Sequence, residues 1–509
     1  MPIHLETRNS DGKDAGAVTI DLTFAGLDRR RVLAALGALS SPTVLLSSCG
    51  GGNQAVPDVP PAPAPSLTPA PSPGPAPSPG PAPSQPPLST AAFPLAAQTG
   101  KHYLTDTAGT PFLMQGDSSW SLIAQLTDSQ VTQYLDDRRM RGFNTVLVNL
   151  LEHKFSSNAP KNANGDGPFT TLGDFSTPNE KYFAYADLVL QRAAARGFLV
   201  LLAPAYLGYA GGDEGWYQDM VANGPTKMGN YGRYVGNRYT GFNNIMWVLG
   251  GDYNPPNKAL VRELALGIRA TDTHSLMTAH CAPESTALNY WNGESWLQVN
   301  NVYTYNAPYS PALAQYAQQM SMPFFLIESE YENERAAGTE QRVRVQAYQA
   351  LLSGAAGHMF GNNPIWHFDG PGLTTPPSTW QQALSSPGSR SMTQLRSLFA
   401  ACAWWMLVPD AGNTFLTSGM NSALDRAVAA LSSDRSFAIA YMPSVRAITV
   451  NLAGLSGPKV NAWWYDPAAG NYTSIIGSPF VASGTQTLRP AGNNTSGNGD
   501  WGLLLKSTA

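Results

Sequence analysis

Trp247-Val248-Leu249-Gly250-Gly251-Asp252 is an apolar run that stops at two glycines and hands over to a carboxylate. A buried parallel strand is apolar on both faces, and glycines serve where its backbone must turn or approach a neighbour closely. The acid then stands at the C-terminal tip. Pro323-Phe324-Phe325-Leu326-Ile327-Glu328 repeats the pattern further along, again closing an apolar run with a carboxylate. Where strands alternate with helices in a barrel, the groups that do chemistry sit at those tips. Two acids delivered from two tips point to acid/base or covalent chemistry on a sugar bond.

Outward from these runs, short apolar stretches alternate with helical segments between residues 111 and 409. Strands are expected over 111–117, 143–151, 198–204, 245–249, 276–280, 299–305, 324–327 and 358–361. Thr127-x-x-Gln130 reads as a capping box that opens a helix ending near Gly142. Further helices are expected over 182–196, 231–239, 260–270 and 342–353. Eight strand–helix units predict an α/β fold, a parallel (β/α)8 TIM barrel. An open doubly wound sheet is the alternative, but no Gly-x-Gly-x-x-Gly follows the first strand. After residue 409, short strands over 427–431, 437–441, 447–452, 460–465 and 501–505 are separated by Gly, Pro, Asn and Ser. They predict a small all-β sandwich, either a packing appendage or a ligand-binding module.

A chain of 509 residues has room for both domains. Net charge is −4 and only 13% of residues are charged, so no basic face argues for nucleic acid. The 12 Trp and 21 Tyr suit carbohydrate faces as well as cores. Three cysteines, Cys49, Cys281 and Cys402, form neither a disulfide framework nor a metal-ligand spacing. His-Glu-x-x-His and Gly-x-Ser-x-Gly are absent from the sequence, which leaves zinc peptidase and serine hydrolase without a motif. No cofactor and no metal are expected.

Arg29-Arg30-Arg31-Val32-Leu33 opens an apolar stretch reaching Leu46, short of the ~20 residues of a membrane span. It ends in Leu46-Ser47-Ser48-Cys49-Gly50, and basic, apolar and small-residue regions in that order read as an export signal. The adjacent arginines resemble a twin-arginine signal, and Leu-Ser-Ser-Cys resembles a lipobox, in which Cys49 becomes a lipidated N-terminus. A plain secretory peptide is the alternative. Residues 56–87 are dense in proline and favour an extended polyproline II spacer. The expected division is therefore leader 1–49, linker 50–92, catalytic barrel 93–409 and sandwich 410–509. The protein is expected to be exported, periplasmic or at the cell surface, monomeric, and in contact with a membrane only through Cys49.

Six motifs occur in a shared order: Asp117-Ser118-Ser119-Trp120, Tyr231-Gly232-Arg233-Tyr234, Asn244 to Asp252, Thr278-Ala279-His280, Glu328-x-x-Tyr331-Glu332 and Gly354-Ala355-Ala356-Gly357-His358. In these the chain, from Phe93 to Pro409, resembles the apiosidase-like glycoside hydrolases of family 140. Ala462-Trp463-Trp464-Tyr465-Asp466-Pro467 and Asp500-Trp501 resemble the small β-domain, named for collagen binding, that often follows. The resemblance implies a retaining glycosidase with Asp252 as acid/base and Glu328 as nucleophile, acting on a branched plant or bacterial polysaccharide, apiose-bearing ones included. Ile327 and Glu330 depart from the family pattern, which often has a glycine before the nucleophile and an uncharged residue two after it.

Glu328, Glu330 and Glu332 share strand parity, so alternation alone does not choose between them; Glu328 is nearest the apolar run. Asp117 fits a sugar-hydroxyl acceptor and Trp120 a stacking platform, with a turn cap and core packing as alternatives. His280, Tyr331, Glu330 and His358 are further substrate-binding candidates, as is Asn149 with Glu152 and His153 beside it. Two non-catalytic readings remain: a polysaccharide-binding surface lipoprotein, and an adhesin.

Overall fold

The computed structural model describes residues 91–318 and 322–508. Cys49, the leader and the proline-rich segment lie outside the described residues, together with the expectations placed on them.

Eight parallel strands form one curled sheet: β1 Met114–Ser118, β2 Thr145–Asn149, β3 Leu199–Ala203, β4 Ile245–Gly250, β5 Leu276–His280, β6 Asn300–Tyr303, β7 Phe324–Glu328 and β8 Gly357–Phe360. Their hydrogen-bonded order is β5-β4-β3-β2-β1-β8-β7-β6. Helices α1 Asp128–Met140, α2 Glu180–Ala195, α3 Tyr217–Tyr239, α4 Ala259–Arg269, α5 Ala287–Trp291, α6 Tyr309–Tyr316, α7 Glu340–Leu352 and α8 Pro387–Ala400 connect and cover the strands. None of the described helices is long and apolar enough to cross a membrane.

Strand side chains alternate between the two faces. Met246 and Val248 of β4 join Leu199, Leu201, Phe325 and Met359 in an inner core. Ile245, Trp247 and Leu249 of the same strand pack outward with Tyr239, Leu264 and Ile268 of α3 and α4. Both faces are buried, so these strands read as unbroken apolar runs.

The sheet departs from the expected pattern in two places. The first expected strand is broken: Pro111–Phe112 pairs antiparallel with Leu104–Thr105, and only from Met114 does the chain join the parallel sheet. Asn144 fixes the switch, its Nδ2 donating to Leu113 O at 2.8 Å and its Oδ1 accepting from Gln115 N at 2.8 Å. The ladder also stops between β5 and β6, because Ser285–Thr286 pairs antiparallel with the end of β6. Irregular hydrogen bonds span the gap instead. Gln298 N and Val299 N donate to Met277 O at 3.0 and 3.1 Å, and Asn301 Nδ2 donates to Thr278 Oγ1 at 2.9 Å.

Beyond the sheet, two antiparallel sheets of seven and three strands share a core that includes Leu416, Val450 and Leu488 against Ala438, Ala440, Leu503 and Leu505. The opposite parity of the larger sheet, Ile439, Tyr441, Tyr465 and Leu504, merges with the core formed by the helices around the parallel sheet. Tyr348 of α7 stacks on Tyr441 at 4.3 Å with the rings parallel to within 1°.

Candidate active site

The stretch that decides the fold also builds the site. Past β4 the backbone runs through Gly250 (φ +90°), Gly251 (φ +136°) and Asp252 (φ +47°), three consecutive residues with positive φ. A Cβ on Gly250 would lie 2.4 Å from His280 O, and one on Gly251 would lie 2.2 Å from Tyr206 Cδ2. Only glycine fits between those neighbours. The turn brings Asp252 back beside His280 at the tip of β5. A non-glycine residue held at positive φ is stored strain, of the kind that persists where the surroundings over-determine it.

Asp252, His280 and Glu328 are buried, and one donor atom from each lies within 4.8 Å of the other two. One oxygen of each carboxylate therefore lies within that distance of the other, with the imidazole beside both. Asp252 N donates to His280 Nδ1 at 3.1 Å, and His280 Nε2 lies 3.0 Å from Glu328 Oε2. An N–H donates only to a nitrogen with its lone pair free, so the ring proton sits on Nε2 and points at Glu328. The His280 Nδ1–Asp252 Oδ1 separation of 3.7 Å is too long for a hydrogen bond and leaves this assignment intact.

Tyrosines complete the shell. Tyr206 Oη donates to Asp252 Oδ2 at 2.8 Å, while Tyr303 and Tyr305 hydroxyls reach Glu328 Oε1 at 2.9 and 3.0 Å. Trp120 packs against Tyr206 and His280 at ring separations of 5.5 and 5.3 Å, and its Nε1 donates to Tyr331 Oη at 3.0 Å. Burial, reinforced by the charge of Glu328, pushes the Tyr331 phenol well above its ordinary pKa, so it stays neutral. Three donors this close could also grip a divalent cation, and Asp252, His280 and Glu328 are the residues that would do so.

Three of the sequence candidates lie elsewhere. Asp117 faces α1, where its Oδ2 accepts from Tyr134 Oη at 2.9 Å and Arg138 NH1 at 3.4 Å. Burial raises its pKa to about 6 despite Arg138, and it serves the packing of α1 on β1 rather than a sugar hydroxyl. His358 also points outward, opposite in parity to the inward Met359; burial lowers its pKa to about 4. Glu330 lies past the end of β7, where strand parity no longer applies. Its Oε1 accepts from Arg335 Nε at 2.8 Å, and its N–H donates to Gln346 of α7. Glu332, the third acid of that run, accepts from Gly388 N and Ser386 Oγ at the start of α8.

Asn149 stands at the tip of β2, its N–H donating to Trp120 O at 2.8 Å and its Nδ2 reaching Glu152 Oε2 at 3.3 Å. Glu152 holds the loop after β2 through the N–H groups of His153, Lys154 and Phe155. Tyr206, Tyr303, Tyr305 and Arg335 were not singled out from the sequence. The available signal was position: Tyr206 follows β3 by three residues, and Tyr303 ends β6 with Tyr305 two beyond.

Residues 98–406 match the family model described as "Apiosidase-like, catalytic domain", and residues 408–506 match the one described as "Putative collagen-binding domain of a collagenase". A glycoside hydrolase family 5 structure from Bacteroides vulgatus ATCC 8482 superposes with TM-score 0.71 at 25% identity, over 81% of this chain and 93% of that one. A second structure, described as a glycoside hydrolase, gives TM-score 0.71 at 24% identity over 82% and 97% of the two chains. No curated protein matches. With its catalytic model covering more than half of the sequence, the chain belongs to the apiosidase-like glycoside hydrolases.

Proposed function

We propose that this glycoside hydrolase works with retention, Asp252 as acid/base and Glu328 as nucleophile. The observation that supports this reading is a pair of buried carboxylates with one oxygen of each within 4.8 Å of the other, near the roughly 5 to 5.5 Å between carboxyl groups in retaining enzymes. Asp252, protonated, gives its proton to the glycosidic oxygen as Glu328 attacks the anomeric carbon and the leaving group departs. A water then replaces the leaving group, Asp252 takes its proton, and the hydroxyl displaces Glu328 from the same face. His280 and the two tyrosines hold both oxygens of Glu328, which fixes the line of attack. In this reading the curled sheet acts as a closed (β/α)8 barrel around the site, with the Asn301 bridge standing in for the missing ladder.

The substrate is a branched plant or bacterial polysaccharide, with a terminal furanose such as apiose as the first sugar to test. Proton NMR of the first product formed from an aryl glycoside should show the starting anomeric configuration before mutarotation. An inverted product would replace the covalent mechanism with single displacement by water.

We further propose that Cys49 carries a lipid anchor and places the enzyme on the outer side of a membrane, on the strength of the Leu46-Ser47-Ser48-Cys49 sequence. Mass analysis of membrane-extracted protein should find a diacylglycerol adduct on Cys49, and Cys49→Ala should release the protein into the soluble fraction. An unmodified, soluble wild-type protein would remove the anchor.

A further inference from the structure

Tyr303 and Tyr305 both donate to Glu328 Oε1, yet they are held by different means. Tyr303 belongs to β6 and is fully buried, so the sheet fixes it. Tyr305 lies beyond the strand, half-buried, on a loop that needs other restraints. Its hydroxyl lies 2.8 Å from that of Tyr303, and three further restraints from outside β6 converge on it. Its N–H donates to Glu284 Oε1 at 2.8 Å, from a residue at φ +60° on the loop after β5. Its carbonyl accepts from Gln346 Nε2 of α7 at 3.1 Å, and the same nitrogen reaches Asn306 O at 2.9 Å. Its ring lies under the Arg335 guanidinium, 4.1 Å from carbon to ring centre. Glu330 Oε1 accepts from Arg335 Nε at 2.8 Å, with both side chains largely buried.

We infer that Arg335 is a positioning residue that clamps Tyr305 against Glu328, and that Glu330 acts by fixing Arg335 in the stack. A guanidinium lies flat on an aromatic face and draws on its quadrupole, while its edge remains free to bond a carboxylate. One cation thus restrains the ring and is itself restrained by Glu330. This gives a function to the second acid of the Glu328-x-Glu330 run: it reaches the reaction through three side chains, without touching the sugar. The kinetic part of the inference rests on Glu328 being the nucleophile; the structural part does not.

The test uses full-length Arg335→Met, Arg335→Lys, Glu330→Gln, Tyr305→Phe and the double variant Arg335→Met/Tyr305→Phe. In a crystal structure of Arg335→Met, Tyr305 Oη should leave hydrogen-bond distance of Glu328 Oε1, beyond about 3.5 Å. On 4-nitrophenyl apiofuranoside, Arg335→Met and Tyr305→Phe should each lower kcat about 10- to 100-fold, the loss of one hydrogen bond to a charged group, with KM little changed. Arg335→Lys should recover part of that loss by keeping a cation over the ring. Glu330→Gln should lose less than Arg335→Met. The double variant should lose no more than either single one, because Arg335 acts only through Tyr305. A Tyr305 that stays in place in Arg335→Met, or losses that multiply in the double variant, would overturn the inference. Should Glu328→Gln retain activity, the nucleophile assignment fails, and the crystallographic displacement still decides the clamp.

Discussion

Glu328→Gln is expected to lower glycoside hydrolysis by on the order of 10⁴-fold or more, the size of effect seen when a catalytic nucleophile is removed, while the thermal melting curve stays close to wild type. The amide keeps the size of the carboxylate but brings one donor in place of an acceptor. Its oxygen can face His280 Nε2–H, which keeps that contact and the Asp252 N–H···Nδ1 bond behind it. Its nitrogen then faces the Tyr303 and Tyr305 hydroxyls, which turn to accept. The fold should therefore be preserved, while the charge that attacks in the proposed mechanism is gone. Asp252→Asn should behave differently. It should hurt most on glycosides with poor leaving groups, which need protonation, and least on activated aryl glycosides. Initial rates on both substrate types, measured beside melting curves, separate the two roles. Full activity in Glu328→Gln with a dead Glu330→Gln would place the nucleophile two residues later.

The place of the two acids at strand ends could be read from the sequence because each ends an apolar run, and a buried strand stops where its polar residue reaches the open end of the sheet. The expected bounds of β5, 276–280, are those observed. Alternation could have spoken against Asp117 and His358, but parity needs a known strand start, and β1 begins only after the break at Leu113. Met114 faces the inner core, which puts Asp117 on the outer face, with Arg138. Tyr303 and Tyr305 were hidden for another reason: a tyrosine at the end of a strand reads as core until its hydroxyl is seen to find a partner. The short helix α5 escaped because five residues carry too little periodicity to register. In α3 the Gly224-Pro225 pair reads as a helix stop, yet the chain kinks there and continues. Arg335 was the hardest to find, since it meets Tyr305 only through a loop contact between distant parts of the chain.

Asp500→Ala should destabilise the whole protein by about 3 to 5 kcal/mol, the usual cost of stripping the partner from a buried charge. Arg344 of α7 and Asp500 are both fully buried, joined by Nε–Oδ2 and NH2–Oδ1 bonds of 2.8 and 2.9 Å. Tyr441 Oη and Asn494 Nδ2 complete the carboxylate at 2.7 and 2.8 Å, and Ser391 Oγ accepts from Arg344 NH1 at 3.0 Å. Burial alone would lower the Arg344 pKa, and its bonds to Asp500 outweigh that and raise it. Without Asp500 that support is lost, yet a guanidinium titrates so far above neutral that it stays charged, and is then stranded in the core. Replacing both, as Arg344→Met with Asp500→Leu, should cost less than the sum of the two single changes, because no charge is left stranded. Urea denaturation gives both numbers, and the wild type should unfold in one transition because the α/β region and the β-domain share a core. The effect should also reach the site. The same helix that carries Arg344 and Tyr348 to the β-domain carries Gln346 to the backbone of Tyr305 and Asn306. Loosening that helix frees the loop that sets Tyr305 against Glu328, so Asp500→Ala should lower kcat well below its melting temperature. A loss under about 1 kcal/mol, within the range of exposed ion pairs, would mean that the β-domain is a passenger and that α7 holds its position without it.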